Sequence, residues 1–106
     1  MDKLDKNLVA RIRKLVMNDS RIEVIDFDTH SEYWLAIVVE DEYTQGILWS
    51  VLKDIVDGYY EAVVKTGDYE NYIEENPSDL APCSHDWKVA YVMSHDFWRK
   101  RQLHKK

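Results

Sequence analysis

A chain of 106 residues that is 45% hydrophobic, with four tryptophans and seven tyrosines, holds enough apolar matter for one packed domain over 1–106 and excludes global disorder. Its formal charge of −6 is unevenly spread: Ile22–Trp87 carries sixteen acidic and two basic residues, Met1–Arg21 three against six, and Lys88–Lys106 one against six. A middle this acidic repels nucleic acid and membrane surfaces and attracts basic protein surfaces.

The single cysteine, Cys83, rules out an internal disulfide and fits a reducing compartment. The opening residues lack an apolar signal core, and the longest apolar run, Tyr33–Val39, is too short to span a bilayer. The expected setting is soluble and cytoplasmic.

Leu4, Leu8, Ile12, Leu15 and Val16 recur at spacings of three and four, which predicts an amphipathic helix over 3–17, ended by Asn18, Asp19 and Ser20. Two strand-like runs follow, Arg21–Asp28 and Glu32–Glu40, joined as a hairpin through Thr29, His30 and Ser31. The second run is apolar on both faces, the mark of an interior strand. A long helix is expected from Asp41 to Thr66, with Ile47, Leu48, Val51, Leu52, Ile55, Val56, Tyr59 and Val63 as its stripe and Gly67 as its stop. Gly58 inside that span marks a kink or an early end. Tyr69–Glu75 reads as a short helix with Tyr69, Tyr72 and Ile73 on its inner side, and Asn76–His85, with both prolines, as the one long loop. Trp87–Met93 alternates as a third strand, and Ser94 or Asp96 then caps a final helix with a basic end at 99–106. The fold class is α+β, a single small domain with an antiparallel or mixed sheet.

Catalytic signals are weak. Asp26, Asp28 and His30 alternate on one strand and could hold a metal for an enzyme, but the segment runs into a turn where Asp, His and Ser are favoured for backbone reasons. The echo of Ser84, His85 and Asp86 in Ser94, His95 and Asp96 places its two pairs roughly 30 Å apart along a strand, too far for one site. Cys83 and His85 are too close in sequence for a nucleophile and its base. Three scattered glycines make no phosphate loop. No cofactor or metal is called for.

Charge carries the functional expectation. Asp54, Asp57 and Glu61 would form one carboxylate stripe on the long helix, extended by Glu70 and Glu74, with Tyr60 and Tyr69 as aromatic anchors. The expected protein is a non-enzymatic binding module. It would occupy the basic surface of a nucleic-acid-binding or nuclease protein, as a phage or mobile-element anti-defence inhibitor or a nuclease-toxin immunity protein does. The alternative is a nucleic-acid accessory protein acting through Trp98 and the basic C-terminal tail, Arg99–Lys106. A metal-dependent enzyme using Asp26, Asp28 and His30 ranks third.

Overall fold

The structure is a computed structural model that describes residues 3–57, 61–75 and 87–104, with only the backbone at 73–75 and 102–104. Eight elements follow in the order α1 (Lys6–Met17), β1 (Val24–Asp28), β2 (Trp34–Val39), α2 (Glu42–Val56), β3 (Ala62–Asp68), α3 (Tyr69–Glu75), β4 (Lys88–Ser94) and α4 (His95–His104). The four strands form one antiparallel sheet in the order β1-β2-β4-β3. The α+β expectation therefore stands, with one more strand than the sequence suggested.

Three of the four helices, α1, α2 and α4, start where a short polar side chain satisfies an orphan amide. Asp5 accepts from the Asn7 amide (2.7 Å) at α1, Asp41 from Thr44 (2.8 Å) at α2, and Ser94 Oγ from Phe97 (3.1 Å) at α4. Leu8, Ile12 and Val16 then line the buried face of α1 at a spacing of four.

Strand β2 is interior, as its two-faced apolar pattern requires. Leu35, Ile37 and Val39 enter the core beneath α1 and α2 with Leu48, Leu52 and Val92. Ala36 and Val38 point the other way, into a cluster with Tyr69, Tyr72 and Val89. α3 covers that second face, and α4 rises beside it, Phe97 stacked near Trp34 and Lys65 lying over the Trp98 ring.

The long helix is the main correction. It ends at Val56 with Asp57 as an extended C-cap, and Ala62–Asp68 is β3, paired with β4 over seven residues. The cause lies in β4, which is apolar on both faces and has β2 on one side only; its outward backbone groups need a second partner. Val63, Val64 and Thr66 are β-branched and supply that strand. Gly67 is accordingly no helix stop. It sits in β3, where a Cβ would meet the Tyr91 ring at 3.3 Å, so its missing side chain makes room for that ring.

Gln45 ties α2 to the new sheet edge: its amide nitrogen donates to the carbonyls of Gly67 (3.0 Å) and Val89 (2.9 Å). Among the described residues no helix is long and apolar enough to cross a membrane.

Candidate functional site

Two regions gather chemistry-bearing side chains, one on each face of the sheet.

The first begins with an irregularity in β1. Val24 pairs with Val39 and Phe27 with Ile37, both toward the α1/α2 core, yet Asp26 pairs with Val38 and Asp28 with Ala36, toward α3. The register shift between Val24 and Asp26 is what places both carboxylates on the α3 face. The hairpin then returns His30 over Trp34, ring centroids 4.2 Å apart and nearly parallel.

Tyr72 arrives from α3. Its hydroxyl donates to Asp28 Oδ2 (2.9 Å), and His30 Nε2 lies 3.0 Å from the same oxygen and hydrogen-bonds to Tyr72 Oη. A tyrosine has one hydroxyl proton and gives it to Asp28, so His30 Nε2 carries a proton and donates. Burial, and next the Asp28 carboxylate, push the Tyr72 hydroxyl far above its ordinary pKa, so it stays protonated. Burial and the neighbouring Asp28 charge likewise raise the Asp26 carboxyl.

This network joins β1, the hairpin and α3. A buried phenol held protonated is a poor nucleophile, and the Tyr72 proton is already committed to Asp28. Among the described residues no group of three or more His, Cys, Asp or Glu side chains is placed to hold a metal ion, Asp26, Asp28 and His30 included. What the arrangement does chemically is hold one proton between a phenol and a carboxylate, and so orient the imidazole.

The second region is the outer side of α2. Glu42, Tyr43, Gly46, Ile47, Ser50, Val51 and Asp54 form one wall of an open groove of about 540 Å³, and Arg21 closes it from the α1–β1 connection. Arg21 is clamped by Asp19 through two side-chain hydrogen bonds of 3.0 and 2.7 Å, which hold the Asp19 carboxyl down to about 2. Glu42 and Asp54 have no ion-pair partner among the described residues. Tyr43, at 79% exposure, is the most exposed of the large hydrophobic residues described.

The sequence-predicted site is dispersed. Asp54 lies in the groove, but Asp57 is past the helix end and pairs with Lys53 at 3.5 Å. Glu61 is exposed just before β3, and Glu70 opens α3 beyond its far end. The seven-residue strand between them spans roughly 23 Å, so the single helical stripe does not exist. Tyr69 is corrected outright: it is 1% exposed, packed on Trp87 and Tyr72, and cannot anchor a partner. Tyr60 and the Glu74 side chain lie outside the described residues, as do Cys83, Ser84, His85 and Asp86. Of the C-terminal alternative, Trp98 faces Lys65 and His95, and Arg99 pairs with Asp96 at 3.4 Å.

Tyr43, Ile47 and Val51, at a spacing of four, formed a legible second apolar row beside Leu48, Leu52 and Ile55, wider than one buried face needs. Tyr72 was legible as an inward residue of α3, but nothing local tied it to Asp28, forty-four residues away. The chain matches no protein-family model, no curated protein and no solved structure.

Proposed function

We propose that this chain is a non-enzymatic protein-binding module, an inhibitor whose acidic surface occupies the basic, nucleic-acid-binding surface of another protein. One observation carries the reading: the acidic middle holds sixteen carboxylates against two basic residues, and the lysines that meet it, Lys3 at Glu32, Lys53 at Asp57 and Lys88 at Asp68, offset only part of that charge. Its two cations are engaged, Lys53 with Asp57 and the Trp49 ring, Lys65 over Trp98. The flanking cations Arg21 and Lys88 are bound by Asp19 and Asp68, the latter at 2.8 Å.

Like charges left facing water cost the compact state through self-repulsion, and an oppositely charged partner relieves that cost while accelerating encounter. A basic nuclease or nucleic-acid-binding protein presents such a surface. Anti-defence inhibitors and nuclease-toxin immunity proteins are two roles of this character.

The test is capture of host proteins by the immobilised chain at rising salt, with duplex DNA as competitor. Retained proteins that are basic, released by salt and displaced by DNA support the reading. Capture indifferent to both salt and DNA refutes it, as does metal-dependent turnover of a nucleotide substrate that is lost on Asp28→Ala.

A further inference from the structure

We infer that the groove along α2 is the docking site for a short basic segment of the partner protein, one that carries a cation at each end and apolar side chains between. This rests on the protein-binding reading above and names the segment that the acidic surface takes.

Charge and spacing define the occupant. Glu42 and Asp54 stand twelve residues apart on one helix, roughly 18 Å along its axis, with Ile47 and Val51 between them and no ion-pair partner for either carboxylate among the described residues. The Arg21 wall adds no free positive charge, because Asp19 holds its guanidinium. An extended chain covers that length in about five residue steps, so cations at positions one and six reach both carboxylates at once. The exposed Tyr43 ring beside Glu42 offers its face to one of them, and a guanidinium suits it better than an ammonium.

Gly46 is the second, independent observation. It lies inside α2, where glycine weakens a helix relative to alanine. Nothing in the fold asks for it: a Cβ there meets no atom within 4 Å, and its φ lies outside the positive range. Folding alone favours alanine at this position. A bare backbone on the groove floor instead lets another chain approach the helix closely, which is the use of glycine that remains.

The experiment is an amide-resolved NMR titration of the intact chain with an acetylated, amidated hexapeptide that has arginine first and sixth and leucine and valine between. Saturable shifts are expected at Tyr43, Gly46, Ile47, Ser50 and Asp54. Affinity should fall at least fivefold when the peptide arginines become glutamine or its apolar residues become serine. Gly46→Ala should weaken binding several-fold while raising Tm by a few degrees, a pairing that a purely structural glycine cannot produce. Asp54→Asn, on an exposed side chain, should weaken binding with Tm unchanged.

Shifts that map elsewhere, equal binding by the glutamine peptide, or unaltered binding by Gly46→Ala would overturn the proposal. Dilution-dependent shifts at the same residues without peptide would assign the groove to a second copy of the chain and overturn it likewise. If the hexapeptide fails while basic proteins are still captured in a salt- and DNA-sensitive way, the docking inference falls and the broader reading survives.

Discussion

Removing one oxygen from Tyr72 isolates the network that ties the hairpin and α3 to β1. In Tyr72→Phe the ring keeps its packing against Tyr69 and Tyr91, centroids 6.0 and 6.1 Å away, so the change is confined to the hydroxyl. That hydroxyl donates to the Asp28 carboxylate at 2.9 Å, and a hydrogen bond to a charged group contributes about 1.5–3 kcal/mol. The Asp28 side chain is 34% exposed, so water takes over part of the lost bond, and the lower end of about 1.5 kcal/mol is expected. His30 Nε2 still reaches Asp28 Oδ2 at 3.0 Å, so the hairpin keeps one of its two contacts. For a domain near this size the loss lowers Tm by roughly 6–10 °C. Urea unfolding followed by tryptophan fluorescence should show an earlier midpoint with an unchanged slope. Combining Tyr72→Phe with Asp28→Asn should give a coupling of at least about 0.5 kcal/mol. A loss below about 0.3 kcal/mol, or strict additivity of the two changes, would refute the geometry of the network.

Asp26→Asn tests the second carboxylate of that face. The folded-state pKa of Asp26 is raised, so its contribution to stability is full below the ordinary value of 3.8 and is lost as pH rises through the raised one. Asp26→Asn should therefore be more stable than the parent at pH 7, with the advantage vanishing below pH 3.8 in a pH series of urea melts. Tyr69→Ala should cost about 3–5 kcal/mol in the same melts, because it empties a fully buried aromatic site; an effect confined to partner dissociation would contradict its burial. Gln45→Ala removes both bonds from α2 to the carbonyls of Gly67 and Val89 and should cost about 1–2 kcal/mol, with faster amide exchange at the facing ends of β3 and β4.

The order of amino acids was sufficient wherever the determining interactions are local. The Leu8, Ile12 and Val16 spacing set α1, the polar residues Asp41 and Ser94 set where α2 and α4 begin, and the two-faced apolar run of β2 set its place inside the sheet. Charge segregation is likewise a property of the chain before it folds. Residues 57–68 show where local pattern ran out. Apolar spacing lets Val63 continue a helical stripe, yet the unpaired side of β4, more than twenty residues later, recruits the segment as a strand. Once α2 ends at Val56, the stripe of Asp54, Asp57 and Glu61 is broken, and Glu61 and Glu70 part to opposite ends of β3. Tyr69 and Tyr72 were legible as the inner side of α3, but the use of Tyr69 as an exposed anchor conflicted with that reading, and which sheet face α3 closes was decided only by the fold. The meeting of His30, Asp28 and Tyr72 needs a register shift in β1, a hairpin and a helix docked from the far side of the chain. Composition determined that the middle of the chain is acidic; only the tertiary structure decided which carboxylates share a surface, because hydrogen-bond pairing between the distant strands β3 and β4 sets where α2 must stop.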